Sequence, residues 1–145
     1  MNKLQSFKAF LTYRKAVRLA NKKHSEDGHR YYVLPNIDTK IFLIVTDRKN
    51  FRRIRAKGYI DQNMKMEDVF NACFYYTSQA DGSGRNITQD ELKVKQVKYQ
   101  LWYDDRLKKI PAERKARRKE LKEAKRKAKE RRKEYERKQS SLRKH

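Results

Sequence analysis

The sequence is short of the residues that build catalytic and metal centres. It contains one cysteine, Cys73, and three histidines, so it can form no intramolecular disulfide and offers no zinc-ligand spacing. A single cysteine fits a reducing compartment. There is no glycine-rich phosphate motif, and the adjacent acids, such as Glu67 and Asp68, point apart on a predicted helix. These absences predict a protein without enzymatic activity, cofactor or metal.

Long hydrophobic runs are also missing. The longest apolar run covers residues 41–45, which is too short to cross a bilayer. The first ten residues contain no hydrophobic signal region and no cleavage site. We therefore expect a protein that is not secreted and has no membrane partner.

Positive charge is abundant, and it is concentrated at the C-terminal end. The chain has 40 Lys and Arg against 18 Asp and Glu, for a net charge of +22. Residues 112–145 alone hold 17 of the bases and 6 of the acids, which is half of the net charge. Such a one-signed excess favours contact with nucleic acid or with an acidic protein surface. The simpler alternative is a solvated charged face.

The composition of residues 111–145 predicts a long exposed helix. Ala, Glu, Lys, Arg and Leu are strong helix formers, and Pro111 suits a first helical turn. Leu121, Ala124, Ala128 and Tyr135 make a narrow apolar stripe that is too thin to build a helical bundle. The helix is expected to fray after Gln139. The candidate polyanion- or partner-binding residues here are Arg114, Arg117, Arg118, Lys122, Lys125, Arg126, Lys129, Arg132 and Lys133.

Residues 1–110 are expected to form a compact α+β domain, and residues 111–145 a basic helical extension. The first part holds all six Phe and the only Trp, so it can bury a modest core. The second predicted strand is apolar at residues 41–45, which favours burial on both faces. The predicted elements are a helix at 3–24, a hairpin of strands at 31–34 and 41–46 joined by 35–39, helices at 48–57 and 66–77, a flexible loop at 78–86, and a helix opening at Thr88.

The helix predicted at 48–57 has an unusual composition. Phe51 and Ile54 are expected to point inward, and the rest of the helix is dominated by bases. Arginine outnumbers lysine, which favours bidentate contact with phosphate or carboxylate. The alternative is a surface helix that happens to be basic. The candidate polyanion- or partner-binding residues are Arg48, Lys49, Arg52, Arg53 and Arg55.

The helix that opens at Thr88 is apolar on more than one face. Thr88 and Glu91 are spaced as a capping box, and Pro111 is expected to end or kink the helix. Trp102 and Tyr103 are predicted to dock a protein partner, since the helix has more apolar surface than one contact with the domain needs. In the preceding predicted helix, Cys73 is expected to be a buried apolar residue rather than a nucleophile.

The segment YYVLPNIDTKIFLIVTDRKNFRRIRAKGYI, together with FYYT at residues 74–77, resembles small basic proteins of the crAss-like tailed bacteriophages of gut Bacteroidetes. The resemblance covers about a third of the chain and carries no catalytic residue. It implies a non-enzymatic virion component, such as a minor or auxiliary head protein.

Two functions from different classes fit the sequence. The first is a structural assembly protein, capsid-associated in a phage virion, which docks on a larger protein assembly and lays its cationic helix on an acidic surface or on packaged DNA. The alternative is a nucleic-acid-binding protein proper, associated with a ribosome, RNA or DNA. The corresponding locations are the virion and the host cytoplasm. The two differ in whether the folded part contacts protein or shares one polyanion with the cationic helix.

Overall fold

A computed structural model describes residues 1–37, 41–79 and 84–143 and confirms an α+β fold. The tips of two predicted connections, at residues 38–39 and 80–83, lie outside the described residues. The chain divides into an N-terminal unit, Met1–Leu107, and a C-terminal unit that begins at Lys108. The elements are α1 (Lys3–Asp27), β1 (Tyr31–Pro35), β2 (Leu43–Asp47), α2 (Arg48–Ala56), a 3₁₀ turn (Met66–Asp68), α3 (Val69–Ala72), β3 (Tyr75–Tyr76) and α4 (Gln89–Arg143).

Helix α1 confirms the first predicted helix and continues to Asp27, beyond the expected end at residue 24. Its N-terminus is a reciprocal cap, in which the Asn2 side chain accepts from the Gln5 backbone N–H at 2.8 Å and the Gln5 side chain accepts from the Asn2 N–H at 3.1 Å. Gly28 ends the helix in the left-handed region with φ 75°, and its N–H donates to the His24 carbonyl at 2.7 Å. Both ends of the helix are therefore capped.

Strand β1 is the centre of a three-stranded antiparallel sheet of order β2-β1-β3. Tyr32 lies opposite Thr46 on one side and Tyr76 on the other. Residues 31–34 are all buried, whereas burial along β2 alternates. The expectation that the second strand is covered on both faces is confirmed in part, because Ile44 is buried in the cluster of Phe51, and Leu43 and Val45 are half-buried against the small residues of α1. The edge position of β2 concerns the pairing of its backbone and not the coverage of its faces.

The helix predicted over residues 66–77 is wrong in its second half. The helical part ends at Ala72, and Tyr75–Tyr76 form β3 against β1. Phe74 and Thr77 flank this strand, and their backbone N–H groups donate to the carbonyls of Val33 at 2.8 Å and Tyr31 at 2.9 Å. The run Phe-Tyr-Tyr-Thr has high strand propensity, and the open edge of β1 supplies its hydrogen-bond partners. The tertiary pairing therefore overrides a helical spacing of apolar residues.

Apolar side chains pack on both faces of the sheet. On one face, Tyr32 and Leu34 belong to a cluster that includes Phe51 of α2. On the other face, Tyr31 and Val33 pack with small residues of α1. The alternation of side chains along β1 thus places successive residues in different clusters.

A third apolar cluster joins α1 to α4. Its buried members are mostly aromatic, and the Tyr13 hydroxyl donates to the Phe74 carbonyl at 2.9 Å. This contact connects α1 to the residue directly before β3. The buried members are Ala9, Tyr13, Phe74, Tyr99 and Tyr103.

Helix α4 continues through Pro111, so the expected end of the helix at that point is wrong. Proline removes one intrahelical hydrogen bond, but the residues on both sides are strong helix formers and the helix persists. It also continues to Arg143, beyond the expected fraying point at Gln139. At its start, the Thr88 hydroxyl accepts from the Glu91 backbone N–H at 3.1 Å, which confirms Thr88 as the capping residue.

A buried lysine links α4 to α3. Lys95 is 5% exposed, and its ammonium donates to the carbonyls of Phe70 and Cys73, the latter at 2.9 Å. These carbonyls lie at the C-terminal end of α3, where backbone acceptors lack intrahelical partners and a positive charge is favoured. No sequence pattern signals this role, because Lys95 is one of many bases in its helix. The lysine completes the short helix and ties it to α4.

Replacing Lys95 with methionine should destabilise the protein by about 2 kcal/mol, because methionine keeps the length of the side chain but removes the donor of the Cys73 carbonyl and leaves the Phe70 carbonyl only the weak donor of the Cys73 thiol. The free energy of unfolding is measured by urea denaturation. The matched control is Lys93→Met, at an exposed position of the same helix, where we expect a change within about 0.5 kcal/mol. Equal effects of the two substitutions would contradict the capping role of Lys95.

The thiol of Cys73 should react slowly in the folded protein. Cys73 is fully buried, and burial raises the pKa of its thiol although Lys95 lies nearby. The thiolate is the reactive form, so both access and ionisation oppose reaction. A colorimetric aromatic disulfide at mildly alkaline pH measures the rate, and unfolding in concentrated guanidinium chloride should restore the rate of free glutathione. A native rate equal to the unfolded rate would refute the burial of Cys73.

Candidate polyanion-binding surfaces

Helix α2 is fixed to the core along one side. The Asp47 carboxylate caps its N-terminus by accepting from the Asn50 backbone N–H at 2.9 Å and from the Asn50 side chain at 2.7 Å. Phe51 is 2% exposed, and the half-buried Ile54 packs against the same cluster. The predicted inward orientation of Phe51 and Ile54 is confirmed. The remaining side of the helix is consequently left to its bases.

Four of the bases predicted for this surface are exposed: Arg48, Lys49, Arg52 and Arg53. The first turn of α2 contains no acid, so the exposed surface there is of one sign. Arg48 and Arg52 are four residues apart and lie on the same face, as do Lys49 and Arg53. These four residues form what is called here the α2 basic patch.

Arg55 differs from the other candidate bases of α2. It is half-buried, its guanidinium donates to the Met64 carbonyl at 2.8 Å, and it lies 5.5 Å from the centre of the Phe51 ring. These contacts hold the segment after α2 against the helix. Arg55 therefore has a structural role here, and its prediction as an open polyanion- or partner-binding residue is corrected, because its guanidinium is already bound inside the protein. Helical spacing alone could not reveal a carbonyl further along the chain.

A cationic pocket of about 530 Å³ lies at the N-terminal end of α2. Arg48 and Lys49 contribute charge from the helix, and Tyr32 and Phe70 supply aromatic walls. Two arginines and a lysine against one aspartate leave the pocket positive. Its lining residues are His29, Arg30, Tyr32, Asp47, Arg48, Lys49, Phe70 and Gln79.

Arg30 is the base of this pocket that sequence reasoning missed. It is 7% exposed, and its guanidinium lies over the rings of Phe70 at 5.1 Å and Tyr76 at 5.5 Å. One nitrogen donates to the Arg85 carbonyl, and Nε has no hydrogen-bond partner among the residues that the structure describes. Stacking on two aromatic rings offsets part of the cost of burying the charge. The only sequence signal is an arginine directly before a buried strand.

Arg85 shares the same aromatic rings and is paired with an acid. Its guanidinium lies 5.1 Å from the centre of the Phe70 ring and donates to Glu91 at 2.8 Å. The other oxygen of Glu91 accepts from the Tyr76 hydroxyl at 2.6 Å. Burial, followed by the Glu91 contact, raises the pKa of Tyr76 to about 12. The Glu91 side chain therefore links Arg85 to the Tyr76 hydroxyl.

His29 and Asp47 of the pocket lining, together with Asp27, could offer three ligand atoms to a metal, all within 4.8 Å of one another. Each group already has a protein partner. His29 Nδ1 lies 3.4 Å from Asp47, and Asp27 accepts from the Tyr31 hydroxyl. The hydrogen bond from Tyr31 lowers the pKa of Asp27. Burial acts to raise the pKa of Asp47, but hydrogen bonds from Asn50 and His29 bring it below its ordinary value.

These lowered pKa values have a direct consequence for stability. A carboxyl with a depressed folded-state pKa stabilises the protein above its ordinary pKa, and that contribution is lost as the pH falls through the depressed value. The two carboxyls therefore contribute to stability at neutral pH through their contacts with Tyr31, Asn50 and His29. The structure accounts for the cluster as a connection between the end of α1 and the start of α2.

The C-terminal unit is exposed along almost its whole length, and every residue from Arg114 to Arg143 is exposed. At about 100° and 1.5 Å per residue, six of its bases fall within an arc of about 80° and extend over about 27 Å of helix. These six bases form what is called here the basic stripe: Arg114, Arg118, Lys122, Lys125, Lys129 and Arg132.

The acids alongside the basic stripe lie on a different side of the helix. With the same periodicity, they fall about 80° to 120° from the nearest edge of the stripe. The arrangement concentrates unbalanced positive charge on one side. These acids are Glu113, Glu120, Glu123, Glu130 and Glu134, whereas Glu136 follows the C-terminal end of the stripe.

The ion pairs within the C-terminal unit are exposed and join residues that lie one helical turn apart. Glu134 pairs with Lys138 at 3.6 Å, and Glu136 pairs with Arg132, the last base of the stripe, at 3.5 Å. Exposed pairs of this kind contribute little to stability, since water and salt screen them. The basic stripe therefore keeps most of its charge available to a ligand.

The other candidate bases of this unit flank the basic stripe. By helical periodicity, Arg117 lies on one side of it, and Arg126 and Lys133 lie on the other. All three are exposed. The nine predicted bases therefore span about half of the circumference of the C-terminal helix, with the basic stripe near the middle of that span.

The structure places Trp102 and Tyr103 against the core of the N-terminal unit. Tyr103 is 5% exposed, and the half-buried Trp102 ring lies 5.5 Å from Phe74 and 6.0 Å from Tyr99. The hypothesis that Tyr103 docks a partner is corrected, since its ring is used inside the domain. A helix that is apolar on two faces does not reveal by sequence which face the domain covers. The exposed apolar residues of this part of α4 are Val94, Val97 and Leu101.

Within the described ranges, no helix combines the length and the apolar character needed to cross a membrane. Comparisons of the chain with protein-family models, curated proteins and solved structures give no match.

Proposed function

We propose that this protein is a non-enzymatic structural protein that docks on a larger protein assembly and uses its C-terminal helix to bind packaged nucleic acid. The observation that carries the proposal is the basic stripe, six bases on one side of an exposed helix with the neighbouring acids on another side. A helix that only needed to be soluble would gain nothing from separating its charges in this way. This separation of charges directly favours the binding of a polyanion that lies along the helix.

The dimensions of the basic stripe suit a phosphate backbone. Its bases recur about every 5 Å along the helix, and duplex DNA carries one charge per about 1.7 Å of its axis. Several phosphates can therefore be neutralised along one side of the helix, with release of condensed counterions. Such contacts position a protein on nucleic acid without reading sequence. This mode of binding suits a packaging component better than a sequence-specific regulator.

The resemblance to crAss-like phage proteins supports placement in a virion, where packaged DNA is the abundant polyanion. The structural half of the proposal, docking on a larger assembly, is supported by exposed apolar residues on the N-terminal unit. The proposed function involves no catalytic residue.

A nucleic-acid-binding protein proper is the second candidate. The observation that favours it is a second cationic surface on the folded part, made by the α2 basic patch and the adjoining pocket. In that case the patch and the basic stripe would contact the same polyanion, as in a ribosome- or chromatin-associated factor.

Neutralising part of the basic stripe should weaken DNA binding and reduce its salt dependence. In the variant Lys122→Gln/Lys125→Gln/Lys129→Gln, we expect the slope of log K against log salt to fall by about three, since each lost phosphate contact removes about 0.9. Binding of a random-sequence duplex is measured by fluorescence anisotropy over a salt series.

The matched control removes the same charge from outside the basic stripe, in Lys119→Gln/Lys127→Gln/Lys138→Gln. We expect its slope to change by less than about one, because these lysines lie on other sides of the helix. Equal losses in the two variants would mean that the charge acts as a diffuse cloud and that the basic stripe is not a distinct binding surface.

The α2 basic patch separates the two candidate functions. If the protein is an assembly component, Arg48→Gln/Arg52→Gln/Arg53→Gln should leave the DNA salt slope within about one of the parent value. A fall of about three would favour the second candidate, in which the patch shares the polyanion. Circular dichroism checks the fold of this variant, since exposed substitutions usually cost within about 0.5 kcal/mol each.

A further inference from the structure

Arg30 carries a buried positive charge that no acid of the described residues neutralises. Its side chain is 7% exposed and lies over two aromatic rings, and one nitrogen donates to the Arg85 carbonyl. Within the described part of the chain, Arg30 forms no ion pair, and its Nε has no hydrogen-bond partner. The neighbouring Arg85, in contrast, is paired with Glu91. Because a buried charge is costly without a partner, an anion is the partner that Arg30 lacks.

The cationic pocket at the N-terminal end of α2 brings two further bases to Arg30. Arg48 and Lys49 line the same pocket, and both are exposed residues of a different element. Burial raises the pKa of Tyr32, and Arg30 and Arg48 are both close enough to its hydroxyl to oppose that rise. The two arginines therefore act on the same part of the pocket wall. The neutral hydroxyl beside them can also donate a hydrogen bond to an anion.

Two acids lie close to these three bases, and both already have other partners. Asp47 lines the pocket, but its Oδ1 accepts from the Asn50 backbone N–H and its Oδ2 lies 3.4 Å from His29 Nδ1. Asp27, whose carboxylate lies near this pair, accepts from the Tyr31 hydroxyl. Among the described residues, neither acid forms an ion pair with one of the three bases. The bases exceed the acids by one charge, and protonation of His29 would add another.

The cationic pocket has room for more than an inorganic anion. Its volume of about 530 Å³ lies within the range of small-molecule sites, which is about 300–1,000 Å³. Tyr32 and Phe70 form aromatic walls, with their ring centres 5.6 Å apart and their planes nearly perpendicular. Such walls can contact an organic group while the bases bind a charged end. The pocket therefore suits a small molecule that combines the two.

We infer that the cationic pocket binds a phosphomonoester, whose phosphate contacts Arg30, Arg48 and Lys49 and whose organic group packs on the aromatic walls. A phosphomonoester carries about two charges on three terminal oxygens, which three bases can share. Arginine binds phosphate through paired donors, and lysine adds a point charge. The inference goes beyond the proposed function, because it requires neither the basic stripe nor a larger assembly. This chemistry has two sources, a free nucleotide and the terminal phosphate of a nucleic-acid strand.

The test uses the full-length protein and deoxyadenosine monophosphate as the probe. Isothermal titration calorimetry measures its affinity in about 0.3 M salt, where most long-range attraction between exposed charges is screened. We expect the variant Arg48→Gln/Lys49→Gln to bind the probe about tenfold more weakly than the parent, because it loses two charged contacts with the phosphate. Deoxyadenosine, which lacks the phosphate, and inorganic phosphate, which lacks the organic group, should each bind the parent at least about fivefold more weakly than the probe.

The matched control removes one arginine and one lysine from elsewhere on the N-terminal unit, in Arg18→Gln/Lys57→Gln. Both residues are exposed, and neither lines the cationic pocket. The affinity of this variant for the probe should stay within about twofold of the parent. Equal weakening in the two variants, no binding of the probe, or equal affinity for deoxyadenosine or inorganic phosphate would overturn the inference. Circular dichroism and thermal melting check the fold of both variants, whose exposed substitutions should cost within about 0.5 kcal/mol each.

Two versions of one short DNA duplex, with phosphorylated or hydroxyl ends, distinguish the two sources of the ligand. Tighter binding of the phosphorylated duplex that Arg48→Gln/Lys49→Gln abolishes would support the inference and assign the pocket to nucleic-acid ends. Equal binding of the two duplexes, with binding of the mononucleotide retained, would support it and assign the pocket to free phosphomonoesters. The mononucleotide titration does not depend on the basic stripe, so a failure of this inference is distinguishable from a failure of the proposed function.

Discussion

The double pairing of β1 is the constraint on which the N-terminal unit depends. Its backbone supplies hydrogen bonds to β2 and β3, and its side chains alternate between two packed faces. An unpaired backbone group buried at this position would carry a large free-energy cost, so both neighbours must be in place. Helix α1 covers one face of the sheet, and α2 and α3 cover the other. The pocket beside α2 is lined by Tyr32 of this strand.

The physical origin of each element decides how far the sequence could predict it. Helices α1 and α2 are predictable because their caps and stops are local, set by neighbours such as Asp47 and Gly28. Strand β3 is not, because its pairing partner is about forty residues away and its apolar spacing also fits a helix. The exposed bases of α2 and of the basic stripe can be read from composition and periodicity. The roles of Arg30, Arg55 and Lys95 cannot, because each depends on a distant carbonyl or ring.

Positive charge in this protein is used in two ways. Buried or half-buried bases such as Lys95 and Arg55 bind backbone carbonyls, and Arg55 also lies over an aromatic ring, so their charge is satisfied inside the N-terminal unit. The exposed bases of the α2 basic patch and the basic stripe instead raise the self-repulsion of the chain. A polyanion relieves that repulsion. The division explains how a chain with a net charge of +22 can still build a packed domain.

The continuity of α4 has a consequence for how its C-terminal part can form. Starting a helix is costly, because several backbone angles must be fixed before the first hydrogen bond forms, whereas each added residue costs little. The early turns of α4 are held by packing of Tyr99 and Tyr103, so the C-terminal residues can add to an existing helix. Pro111 interrupts the hydrogen-bond ladder at one point. The cationic residues can therefore unwind and rewind from the C-terminal end while the nucleus of the helix stays intact.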